Sequence, residues 1–172
     1  CDPERATKDD GLGILHDAAL ACREGKIIWL GPEKELPQDL AGWEALDARR
    51  AVAIPGLVDS HTHPVFGGAR EEEFARRISG TPYMEIARLG GGINTTVRAT
   101  RAASEEELFL RSRAWLGEML AHGVTTLEAK SGYGLETQTE LKMLRVIRRL
   151  DAELPLDVVP TFLGAHEFPP EY

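Results

Sequence analysis

Apolar positions in this chain follow two patterns, and the change between them falls near residue 50. Before it, Ala18-Ala19-Leu20-Ala21-Cys22 and Lys26-Ile27-Ile28-Trp29-Leu30 are short apolar runs on either side of Arg23-Glu24-Gly25. A linker that short, with a glycine free to take positive φ, predicts a hairpin. Trp43 to Asp47 reads as a third strand, and Pro32, Pro37 and Gly42 punctuate the connection. Residues 1–50 are expected to form a small β layer.

From Val52 the pattern becomes strand, helix, strand, helix, strand. The first strand is read over Val52 to Ser60, followed by a loop with Gly67-Gly68. Thr81 as N-cap and Pro82 at the first helical position open a short helix, which Gly90-Gly91-Gly92 stops. Ser104-Glu105-Glu106-Glu107 is a capping box ahead of a long helix that ends at Gly123. Leu108, Trp115 and Met119 form one stripe of it, with Phe109, Leu116 and Leu120 beside them. Val124 to Ala129 is the next strand. Thr137-Gln138-Thr139-Glu140 reads as a second capping box, for a helix burying Leu141, Leu144 and Ile147 and ending near Leu150. Asp157 to Leu163 is the third strand. Strands separated by helices imply right-handed crossovers and a parallel sheet covered on both faces. The expected fold class is α/β, with a domain over residues 51–172.

Composition narrows the function. The chain has 172 residues, with 20 Lys plus Arg against 28 Asp plus Glu, for a net charge of −8. That balance disfavours nucleic acid, whose phosphates need a basic face. No apolar run approaches the roughly 20 residues of a membrane helix. No basic-then-apolar secretory signal is visible, and the two cysteines, Cys1 and Cys22, fit a reducing compartment, so a cytoplasmic location is expected. The start at Cys1 and the stop just after a strand lead us to expect a fragment of a longer protein.

The polar clusters follow strand ends. His61-Thr62-His63 closes the first strand, and two residues apart in a strand means one face. Two imidazoles there can hold one zinc, iron or nickel ion, with Asp59 orienting a ligand from behind. Two surface histidines at a strand end would look the same in isolation. However, Lys130-Ser131-Gly132-Tyr133-Gly134 follows the second strand and Gly164-Ala165-His166-Glu167 the third. In α/β barrels the reactive groups lie on those loops, and three such clusters in succession favour a site. Gly90-Gly91-Gly92 could admit a ligand to backbone amides or simply stop a helix. Lys130 reads as structural or electrostatic, and His16 and His122 as incidental.

Pro55-Gly56-Leu57-Val58-Asp59-Ser60-His61-Thr62-His63 resembles the opening strand of the amidohydrolase superfamily. The stretches His61 to Arg70, Tyr83 to Ile86, Gly90 to Ile93, Glu128 to Leu135 and Val158 to His166 resemble one family within it, the imidazolonepropionases. The resemblance implies the first units of a metal-dependent (β/α)8 barrel of TIM type, with residues 1–50 supplying part of a small composite β-sandwich domain. It implies one zinc or iron ion with His61 and His63 as ligands, and Arg70, Tyr133 and His166 as substrate-binding residues, His166 also acting in catalysis. The implied reaction is hydrolysis of the cyclic amide of 4-imidazolone-5-propanoate to N-formimino-L-glutamate, a step of histidine degradation. The expected partner is that small molecule rather than nucleic acid or membrane, with a homodimer among the assemblies allowed.

The residue chemistry agrees. Arg70 offers a planar fork of donors suited to the propanoate carboxylate, although it also begins the charge run Arg70-Glu71-Glu72-Glu73. Tyr133 sits between two glycines, and His166 can donate a hydrogen bond or transfer a proton. Two histidines are one ligand short of the three a catalytic metal usually keeps, and a barrel takes about 250 residues. The fragment alone is therefore expected to be inactive. Another cyclic amidase or deaminase of the superfamily, or a non-catalytic α/β binding domain, are the competing readings.

Overall fold

The structure, a computed structural model, describes residues 12–88, 90–169 and 171. The chain divides between Pro55 and Gly56 into two compact units.

In the first unit, β1 (Ala18–Arg23) and β2 (Lys26–Pro32) pair antiparallel, from Ala18 opposite Pro32 to Arg23 opposite Lys26. Glu24 and Gly25 form the two-residue turn with φ of 51° and 74°, the left-handed pair that matches strand twist in a hairpin. A one-residue irregularity follows Ala21. The strand expected over Trp43 to Asp47 does not form. Successive turns carry the backbone from Pro37 to Trp43, and the Trp43 ring lies 4.7 Å from the guanidinium of Arg23. An aromatic partnered by a cation needs no strand to place it.

In the second unit, β3 (Leu57–Thr62), β4 (Val124–Lys130) and β5 (Asp157–Thr161) form a parallel sheet in the order β3-β4-β5. β3 starts later than the sequence suggests. A Cβ on Gly56 would lie 2.0 Å from the hydroxyl of Thr125, so only glycine passes the neighbouring strand there. Five helices connect the strands: α1 (Glu71–Ile78), α2 (Tyr83–Arg88), α3 (Ile93–Ala102), α4 (Glu105–Ala121) and α5 (Thr137–Glu153). Sequence patterning predicts α2, α4 and α5 but not α1 or α3.

The core forms where α4 and α5 cover β4 and β5. Leu127, Ala129 and Val158 from the strands meet Leu108, Phe109 and Leu116 of α4 and Met143, Val146, Ile147 and Leu150 of α5. Two positions expected in the helix stripes are displaced: Trp115 and Leu141 are nearly half exposed. Arg145 on α5 reaches Glu105 at 2.9 Å, and Arg149 reaches Glu106 and stacks on Phe109, so the helix pair is also clasped outside the core. The opposite face of the sheet is not covered as expected: Val58 is 68% and Val159 52% exposed.

Ser104 caps α4 as the sequence predicts: its hydroxyl accepts from the Glu107 N–H, and the Glu107 carboxylate accepts from the Ser104 N–H. The second capping box does not form. Glu136 is the N-cap of α5, and the Glu140 carboxylate turns to other donors, described below.

Candidate active site

The site lies where the three parallel strands end. The pairing of β3 with β4 is irregular between Asp59 and Thr62, as in a bulge, which re-aims side chains at a strand end. Thr62 pins this point by donating from its hydroxyl to the Glu128 carbonyl at 2.6 Å. The Asp59 carboxylate accepts the backbone N–H of His61 at 3.3 Å, so among the described residues it braces the strand end rather than bonding an imidazole.

The two imidazoles stay together despite the bulge, with centres 5.9 Å apart and planes tilted by 55°. An ion about 2.0–2.1 Å from a ligating nitrogen lies about 3 Å from that ring's centre, so 5.9 Å is within the span of two ligands on one ion. His61 is exposed and His63 half buried. The Nδ1 atom of His63 is buried without a hydrogen-bond partner among the described residues. Burial, then the neighbouring His166 and His61, push His63 below the usual histidine range, against a backbone interaction with Ser131. A neutral ring with an unengaged buried nitrogen fits metal ligation. The donor set stops there: no group of three or more His, Cys, Asp or Glu suited to a metal occurs among the described residues.

Around His63 the structure gathers the other expected residues. A cavity of about 230 Å³ is lined by His63, Phe66, Ala69, Arg70, Thr96 and Tyr133. That is below the ~300–1,000 Å³ usual for ligand pockets. The Tyr133 ring is 5.1 Å from His63 and 5.5 Å from His166, and His166 stacks on His63 at 4.8 Å. Burial raises the Tyr133 phenol above its ordinary range, and the Arg70 charge pulls it partly back. The hydroxyl is therefore a protonated donor. Nδ1 of His166 faces the Gly132 carbonyl at 3.2 Å. A carbonyl only accepts, so Nδ1 is the donor in this pair.

Two loops and a helix end are fixed to make this cavity. In the loop from β3 to α1, the Gly67 N–H donates to the Thr100 hydroxyl at 2.9 Å, and a Cβ on Gly67 would strike the Ala99 carbonyl at 2.5 Å. Thr100 belongs to α3, and the carbonyls of Thr100, Arg101 and the C-cap Ala103 accept from the Lys142 ammonium of α5 at 2.6–3.2 Å. In the loop after β4, Ser131 accepts from the Leu163 N–H at 3.0 Å, tying it to the loop after β5. Thr96 and Phe66 are pocket residues that sequence reasoning does not single out. Thr96 was hidden because α3 itself was not expected.

The weaker candidates resolve into structural roles. The Lys130 ammonium pairs with Glu128 at 2.5 Å, and the Thr161 hydroxyl donates to the same carboxylate at 2.7 Å. Those two bonds, Lys130 first, lower the Glu128 carboxyl below its usual range. Gly91 closes α2 by donating to the Ile86 carbonyl, and Gly92 is the N-cap of α3 with φ of 71°, so the glycine triplet serves the change of helix. His122 is the C-cap of α4, with Nδ1 2.8 Å from the Glu118 carbonyl. Cys22 is exposed, and Cys1 lies outside the described residues.

The fold and site define an α/β protein with a parallel sheet and, at its strand ends, a small cavity lined in part by His63, Arg70 and Tyr133. No family model matches the chain. It is 56% identical over 163 residues to a protein of Paraburkholderia phymatum named imidazolonepropionase, covering 95% of this chain and 40% of that protein. Proteins of the same name from Burkholderia lata and Cupriavidus pinatubonensis are 55% and 52% identical, over 92% and 99% of this chain. At that identity over nearly its whole length, the chain is a homologue of the imidazolonepropionases. It spans about two-fifths of the length of these relatives.

Proposed function

We propose that this chain supplies one part of an imidazolonepropionase: the first strands of a TIM-type (β/α)8 metal-dependent hydrolase barrel, preceded by part of a small β domain. The observation that carries this reading is the convergence of His63, Arg70 and Tyr133 on one small cavity, with His61 and His166 alongside. The substrate is 4-imidazolone-5-propanoate, the product N-formimino-L-glutamate, and the setting histidine degradation in the cytoplasm. No helix among the described residues is long and apolar enough to cross a membrane.

His61 and His63 would hold one zinc or iron ion. Such an ion, when bound, makes hydroxide available near neutral pH and polarises a carbonyl. Arg70 binds the propanoate carboxylate through its paired N–H groups, which fixes the ring in the cavity. The Tyr133 hydroxyl donates a second hydrogen bond to the bound substrate. His166 stands beside the ring. With Nδ1 committed to Gly132, it accepts a proton at Nε2 when neutral and donates to the ring oxygen only as imidazolium. The reaction joins a water oxygen to the ring amide carbon and breaks that carbon's bond to nitrogen, which leaves with a proton.

The test is a chimera: the Paraburkholderia phymatum enzyme with this chain in place of its matching residues. We expect it to consume 4-imidazolone-5-propanoate and to carry about one equivalent of zinc or iron by elemental analysis. A folded, metal-loaded chimera without turnover, beside an active parent, overturns the proposal.

A further inference from the structure

The Glu140 side chain is nearly fully buried, yet the reaction proposed for the pocket does not use it. Its carboxylate accepts three backbone N–H groups: Gly132 at 3.0 Å, Gly134 at 2.7 Å and Leu135 at 2.9 Å. These donors flank Tyr133 on both sides. The backbone is bent to deliver them, with φ of 111° at Gly132 and 52° at Leu135. Both glycines are sterically required. A Cβ on Gly134 would lie 2.9 Å from the Glu140 carboxylate and 2.7 Å from its backbone nitrogen, and one on Gly132 would lie 2.9 Å from His166. Arg101 holds the same loop from outside, donating from Nε to the Gly134 carbonyl at 2.7 Å. Glu140 sits in the first turn of α5, where the helix dipole favours a negative charge. Turned this way, it leaves the capping partner that its spacing from Thr137 suggests.

We propose that Glu140 is a positioning residue for Tyr133: its carboxylate gathers the N–H groups on either side and so fixes the phenol in the cavity facing His63 and Arg70. The inference rests on the functional reading of that cavity. A carboxylate is required because all three partners are donors. Glutamine presents an NH2 that meets an N–H, leaving at least one buried donor without an acceptor.

Kinetics of the chimera provide one test. Glu140→Gln should raise KM about tenfold while kcat falls less than about threefold, because the loss falls on substrate held by Tyr133. Tyr133→Phe should raise KM comparably, and the double variant should be no worse than about twice the poorer single one. Amide hydrogen exchange in the 172-residue chain is the second readout. Glu140→Gln should speed exchange at Gly132, Gly134 and Leu135 by tenfold or more, with the α4–α5 core unaffected, and Glu140→Asp should recover part of the protection. A fall in kcat at unchanged KM, effects on KM that multiply with those of Tyr133→Phe, or unchanged exchange at the three amides would overturn the inference. If Glu140→Gln does not fold, exchange in Glu140→Asp decides by the same criterion. An inactive chimera with Glu140 intact counts against the functional reading alone, and the exchange measurement still decides whether Glu140 holds the loop.

Discussion

Arg70 carries the strongest consequence of any single side chain. It is the N-cap of α1 and an exposed residue that lines the cavity, with its charge felt at Tyr133. If it binds the propanoate, Arg70→Met in the chimera should raise KM at least about tenfold with a smaller change in kcat, measured by steady-state kinetics. An unchanged KM would favour a cyclic amidase or deaminase with a substrate lacking that carboxylate. At this scale the sequence was legible where chemistry and spacing agree. His61 and His63, and the polar clusters that hold Tyr133 and His166, stood out at strand ends, while Arg70 was singled out only by the family resemblance, and the structure gathers all five around one small space. Asp59 and Glu140 were not legible, because a carboxylate's partner depends on backbone geometry that spacing does not encode. Each turned to backbone N–H groups, and in each case the pattern suggested another partner.

At the scale of elements, termini announced themselves better than interiors. The Glu24-Gly25 turn and the Ser104 capping box were both readable, because each is a local arrangement of backbone donors and acceptors. α1 and α3 escaped notice for a physical reason. Glu71 to Glu73 look like a solvated run, and α1 buries no residue. α3 is rich in threonine, a poor helix former, but two of its three threonine hydroxyls are satisfied: Thr100 donates to the Thr96 carbonyl at 2.8 Å and Thr95 to the Gly90 carbonyl at 3.2 Å. The cap on α4 gives a measurable stability effect. Ser104→Ala should destabilise the chain by about 1 kcal/mol in urea unfolding. Hydrogen bonds from the Ser104 backbone and hydroxyl, in that order, lower the Glu107 carboxyl below its usual range. A carboxyl depressed by folding stabilises above its unfolded pKa and loses that contribution as pH falls through the folded value. The gap between wild type and Ser104→Ala should therefore narrow on acidification below the ordinary carboxylate range.

At the scale of the whole molecule, the parallel direction of β3, β4 and β5 follows from the alternation of strands and helices, whereas the bare sheet face does not. The near-continuous apolar strands suggested cover on both sides, yet Val58 and Val159 remain largely exposed. With two imidazoles and no third metal-binding group among the described residues, the 172-residue chain supplied with zinc or iron should show no hydrolysis of 4-imidazolone-5-propanoate. Appreciable turnover would show that two histidines suffice. Glu140 and Lys142 stand two positions apart on α5, one gripping the loop of Tyr133 and the other the end of the helix that carries Thr96. Two cavity-lining residues, Tyr133 and Thr96, thus sit on segments anchored to the same turn of α5, so the geometry of one helix is shared by both.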